Sequence, residues 1–96
     1  EAIRLRPDSA QLRANLGSEL LFENRYSEAE RAYRDALALD PNLPVALSGL
    51  ARSLRWQGKI GEAIRYWERA LTVEKNPKLV QGIREYLEEA KKQARS

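Results

Sequence analysis

The chain has no cysteine, no histidine and no methionine, and a single phenylalanine among its 96 residues. Without thiols there is no disulfide framework, no thiolate nucleophile and no Cys-built zinc site. Without imidazole every His-dependent base, triad or metal centre is excluded as well. Carboxylates, hydroxyls, Lys and Tyr are the chemical groups that remain. No apolar run approaches the roughly 20 residues needed to cross a bilayer, and no basic stretch followed by an apolar one marks a signal peptide. The lack of cysteine leans towards a cytoplasmic setting but suits a periplasm equally, so it assigns no compartment. A chain this short buries only about 60 to 65% of its unfolded surface, which leaves little room for an enclosed active site.

Charge is plentiful but nearly balanced, with 17 Lys and Arg against 14 Asp and Glu, a formal net charge of +3. Acids and bases alternate in the manner of solvated helix faces. One window departs from this: between Asp40 and Glu62 there is no acid, while Arg52, Arg55 and Lys59 fall inside it.

Shifted by 34 residues, the sequence aligns with itself. Leu16 falls on Leu50, Gly17 on Ala51, Leu20 on Leu54, Ala29 on Ala63, Tyr33 on Trp67, Ala36 on Ala70 and Leu37 on Leu71. Such self-similarity is the mark of a repeat architecture. The same shift places Ala2, Ile3, Leu5 and Pro7 on Ala36, Leu37, Leu39 and Pro41, so residues 1–8 read as the remnant of a preceding unit. The full units are then 9–43 and 44–77, followed by residues 78–96.

Apolar spacings of three and four make each unit a pair of helices. In the first unit one helix begins after Pro7 with Asp8 or Ser9 as its cap, and Asn24 and Arg25 form the turn. Ser27 and Glu30 form a candidate capping box for the second helix, which Asp40, Pro41 and Asn42 end. In the next unit Pro44 suits a first helical turn. Gly58 supplies a left-handed stop. Gly17 or Ala51, opposite Ala29 or Ala63, lets the paired backbones approach while Tyr33 or Trp67 fills the space beyond. The last segment keeps helical periodicity through Leu79, Ile83, Tyr86, Leu87 and Ala90 if its register slips by two. No second helix follows it, and Glu85, Glu88, Glu89, Lys91 and Lys92 give it the polar surface of a capping helix.

Leu-Gly, a later Ala, an aromatic, Ala-Leu and a closing Pro at these separations resemble the tetratricopeptide repeat, nearly complete in residues 10–43 and looser in 44–77. The resemblance implies an all-α solenoid of antiparallel helical hairpins, acting as a scaffold for protein–protein interaction and not as an enzyme. It implies further that the first helix of each unit lines a concave groove. The lining would then comprise Gln11, Ala14, Ser18, Leu21 and Phe22, then Val45, Ser48, Arg52, Arg55 and Trp56, with Arg84 from the cap. Ser18, Phe22, Ser48, Arg52, Arg55, Trp56 and Arg84 are the candidate partner-binding residues.

Arg52, Arg55 and Trp56 lie within one turn of each other, a group suited to an acidic or carboxylate-bearing protein or peptide segment with an apolar side chain. The competing reading has the arginines pairing with carboxylates of the next helix while Trp56 packs on an adjoining turn. A chaperone-type carboxylate clamp is a poor match, since Asn15 occupies one of its positions but Val45 and Gly49 stand where Lys and Arg are needed. Tyr33 and Trp67 read as core. The small charge excess disfavours nucleic acid, although Phe22 and Trp56 are of the type that stacks bases. No cofactor, metal or catalytic residue is expected. The alternative role is assembly, either as part of a longer solenoid or by self-association through the N-terminal edge, near Leu12 and Leu16.

Overall fold

The computed structural model describes residues 7–95, and side chains from residue 9 onward. Five helices follow one another: α1 (Pro7–Phe22), α2 (Tyr26–Leu39), α3 (Pro44–Trp56), α4 (Ile60–Val73) and α5 (Pro77–Arg95). Each packs on the next along the chain, and α1 also touches α3, so the first helices of successive units form an inner row. There is no strand among the described residues, and the molecule is an all-α solenoid of helical hairpins. The remnant expected at residues 1–8 lies outside the described residues except for its last two, which open α1.

Small and aromatic residues set the packing. On α2 the buried side is Ala29, Ala32, Tyr33 and Ala36, and on α4 it is Ala63, Trp67 and Ala70. Alanine at these spacings lets helices approach closely, and one large ring per unit fills what is left. The middle helix α3 is buried almost all round, through Ala46, Leu47, Leu50, Ala51 and Leu54. Each leucine so covered contributes about 1.5–3 kcal/mol relative to an exposed one. On α5 only Ile83, Leu87 and Ala90 are buried. The positions 34 residues beyond Leu47, Leu50 and Leu54 are Gln81, Arg84 and Glu88, all exposed.

Both hairpins close in the same way. Asn24, at φ 63°, stands in the left-handed region, with Arg25 N–H donating to Leu20 O at 2.9 Å and Asn24 N–H to Leu21 O at 3.0 Å. Thirty-four residues on, Gly58 at φ 85° does the same, with Lys59 N–H on Leu54 O and Gly58 N–H on Arg55 O, both at 2.9 Å. This crossed pair of hydrogen bonds satisfies the orphan carbonyls of the preceding helix, and Asn tolerates the left-handed backbone better than most residues.

The capping box at Ser27 is not formed. Helix α2 starts at Tyr26, with Arg25 in the cap position and no side-chain cap bond. That early start places Ser27 inside the first turn, and it follows from the closure at Asn24, after which Arg25 O already accepts Ala29 N–H at 2.9 Å. Glu28 takes the Arg25 guanidinium instead, at 2.8 and 2.6 Å, which holds its carboxyl below the usual range. Glu30, the other member of the expected box, ties the units together. It accepts Arg34 Nε at 2.9 Å and Gln57 Nε2 at 2.9 Å and lies 3.7 Å from Lys59 Nζ. Burial pushes the Glu30 carboxyl up, but the bonds from Gln57 and Arg34 and the charges of Arg34 and Lys59 bring it below its ordinary value. Helix α1 also begins earlier than expected, at Pro7, where the missing amide is not needed.

Candidate partner-binding groove

Three residues spaced by 34, namely Ser18, Arg52 and Tyr86, mark the inner row of helices. Between the first two lies the ring of Tyr33, which crosses from α2 to the inner side and is 1% exposed. A Cβ on Gly17 would come within 2.9 Å of that ring, and one on Gly49 closer still, so two glycines admit it. Its Oη lies 2.9 Å from Ser18 Oγ. Burial raises the Tyr33 phenol, against the Ser18 bond and the charge of Arg52.

Arg52 continues the row. Its guanidinium carbon sits 5.6 Å from the centre of the Tyr86 ring, and Tyr86 in turn stacks on Trp67 at 5.7 Å and 10°. The side chains of α3, α5 and α4 are thereby joined in one stack. Beside it, between α3 and α5, opens a hollow of about 350 Å³ lined by Val45, Ser48, Arg52, Glu74, Lys78, Leu79, Gly82, Ile83 and Tyr86. Neither Arg52 nor Lys78 has a carboxylate within 4 Å among the described residues. Glu74, the one acid on the wall, spends an oxygen on the backbone N–H groups of Lys75 and Asn76, both at 3.1 Å.

The expected group of Arg52, Arg55 and Trp56 does not face one hollow together. Arg55 lies 3.5 Å from Glu89 and donates to Gln93 Oε1 at 3.1 Å, which ties it to the far end of α5. Trp56 stacks on Tyr26 at 6.1 Å and 20°, with the Arg55 guanidinium 5.8 Å from its ring centre. Only Arg52 enters the hollow. Ser48 borders it while donating to Pro44 O at 3.1 Å. Phe22 stands 88% exposed at the end of α1, and Trp56 is 59% exposed at the matching position of α3. Arg84 lies elsewhere, bordering a separate hollow with Glu68, Leu71, Leu87, Glu88 and Lys91 between α4 and α5. Ala14 and Leu21 are core residues, 0% and 7% exposed, and do not line a groove. Gln11 donates to Asn15 at 2.9 Å on the solvent side of α1. No group of three or more His, Cys, Asp or Glu side chains is placed to hold a metal among the described residues, and no helix there is long and apolar enough to cross a membrane.

The model of the tetratricopeptide repeat family matches residues 20–87, more than half of the chain. The chain belongs to the tetratricopeptide repeat family. Repeats of this family generally mediate protein–protein interaction, and its members are typically scaffolds without catalysis. In this tetratricopeptide protein the inner-row residues that sequence reasoning passed over are Lys78, Leu79 and Tyr86, which line the hollow, together with the Tyr33 hydroxyl. The repeat itself pointed to two of them, because the 34-residue shift carries Val45 to Leu79 and Arg52 to Tyr86. The slip assumed for the last helix hid that correspondence.

Proposed function

We propose that the chain is a protein-interaction scaffold whose inner row of helices receives a segment of a partner protein, extended or helical. The observation that carries this reading is the distribution of exposed apolar surface. Among the described residues the exposed large apolar side chains are Leu12, Leu16, Phe22, Leu39, Val45, Trp56, Leu79 and Tyr86. Leu12 and Leu16 border a separate hollow on α1 with Ser9 and Arg13; of the other six all but Leu39 lie on α1, α3 or α5, and α4 has none. Apolar patches rimmed by polar residues are what protein partners cover. Selection of binding peptides from a random displayed library, followed by mapping on the isotope-labelled chain, tests it. Selected peptides should shift the amides around Val45, Leu79 and Tyr86, and Arg52→Glu should abolish binding while Arg65→Glu on α4 does not. Shifts confined to α2 and α4 would sink the groove reading.

A second role, assembly through the face of α1, is favoured by one observation. Leu12 is 65% and Leu16 48% exposed, whereas their counterparts Ala46 and Leu50 are fully covered. Sedimentation over a range of concentrations separates the roles, since a strict monomer at high micromolar concentration removes self-association from consideration.

A further inference from the structure

The chemistry of the partner segment follows from how Arg52 is held, given the groove reading above. Arg13, Arg25, Arg34, Arg55 and Lys59 each have a carboxylate within 4 Å. Arg52 has none there and, among the described residues, makes no hydrogen bond, whereas Arg69, also unpaired and over a ring, that of Tyr66, donates to Pro41 O at 3.2 Å; the neighbours of Arg52 are aromatic. Its guanidinium lies against the Tyr86 ring at 5.6 Å, and its charge bears on the buried Tyr33 phenol from the other unit. A guanidinium laid on a ring satisfies its flat face and leaves its N–H edge unspent, and that edge matches the two oxygens of a carboxylate. On the same hollow Val45 and Leu79 are 38% and 53% exposed, and Lys78 adds a second positive charge.

We propose that Arg52 reads a carboxylate on the partner segment, that an apolar side chain of the same segment lies between Val45 and Leu79, and that Tyr86 is the positioning residue for the guanidinium. Tyr86 is itself fixed by its stack on the fully buried Trp67, so the arginine is aimed by the core of its own unit through α5. The carboxylate is that of an Asp or Glu side chain, because a segment lying along α3 and α5, with its apolar side chain between Val45 and Leu79, presents side chains to Arg52 along its length. Polyanions such as single-stranded nucleic acid are a poorer fit, because the hollow offers only Lys78 beside Arg52, while Arg55 on the same helix is already paired with Glu89.

The test uses the whole chain, nitrogen-labelled, with the Arg52 Nε–Hε resonance as reporter. Three forms of a hexapeptide alternating Leu with an acidic or amide residue are titrated: Glu with an amidated C-terminus, Gln with a free C-terminus, and Gln with an amidated C-terminus. The first should move the Arg52 resonance and the amides of Leu79 and Gly82; movement by the second and not the first assigns the carboxylate to a chain terminus and overturns the side-chain source. The third should bind at least about tenfold more weakly. Arg52→Gln and Tyr86→Leu should each weaken the productive peptide by about tenfold, while Tyr86→Phe, which keeps the ring, stays within about twofold. Equal binding of all three peptides in the groove overturns this inference and leaves the groove reading standing. No groove shift with any of them, nor with library-selected peptides, overturns both. Displacement of the peptides by an oligothymidylate that binds more tightly would assign the hollow to a polyanion instead. If Tyr86→Leu lowers the melting temperature, the Tyr86→Phe result still decides, because a Tyr86→Phe loss as large as that of Arg52→Gln contradicts a stacking role.

Discussion

Replacing Gly49 with alanine puts a methyl group onto the ring of Tyr33, and neither partner has room to yield. The ring is 1% exposed and is bounded on its other side by Gly17, where an added Cβ would approach to 2.9 Å. Overpacking of this kind costs about 1–3 kcal/mol. The exchange also removes a glycine from the middle of a helix, which by itself stabilises by about 0.8–1 kcal/mol. The net effect expected is a loss of up to about 2 kcal/mol, or up to about 16 °C in melting temperature for a domain of this size. Gly82→Ala on α5 is the control, because nothing lies within 4 Å of its added Cβ. It should stabilise by about 0.5–1 kcal/mol. Urea unfolding followed by circular dichroism measures both. The pair Tyr33→Leu with Gly49→Ala closes a cycle, in which the alanine should cost less once the ring is gone. A Gly49→Ala variant as stable as Gly82→Ala would refute the role of Tyr33 as the wedge between α1 and α3.

Glu30 makes stability depend on pH. Its carboxyl is lowered from 4.5 in the folded chain, so its contribution is present above that value and is lost as pH falls through the folded one. Glu30→Gln should therefore destabilise by about 1 kcal/mol at pH 7, with the difference from the parent shrinking by pH 3 in urea titrations. Arg55→Ala should cost at most about 1 kcal/mol and show itself as faster amide exchange near Glu89 and Gln93, while Arg52→Ala leaves stability within about 0.5 kcal/mol. Of the two tryptophans, Trp67 is 0% and Trp56 59% exposed, so Trp56→Phe should leave a blue-shifted emission that resists acrylamide quenching.

The repeat and its helices were legible because a 34-residue period, Ala at the crossing points and one aromatic per unit are local patterns that packing enforces. The stop at Gly58 was legible for the same reason, since glycine announces a left-handed residue. Asn24 does the same work less visibly, and reading it as one half of a turn with Arg25, not as the left-handed stop, shifted the start of α2 and produced a capping box that the chain does not form. The hollow between α3 and α5 was less legible. Arg52 and Arg55 are one turn apart on α3, yet what each meets depends on α5, whose Tyr86 and Glu89 are more than 30 residues away in sequence. Spacing along one helix says which residues share a face. Pairing across helices is decided by where the neighbour's charges and rings fall.

The central claim, that the hollow between α3 and α5 is where a partner segment lies, is tested most directly by hydrogen exchange of the whole chain with and without a saturating library-selected peptide. Protection concentrated on residues 45–52 of α3 and 78–86 of α5, and absent in Arg52→Glu, is the predicted result. Protection of α2 and α4 with the α3 and α5 segments unchanged would contradict it.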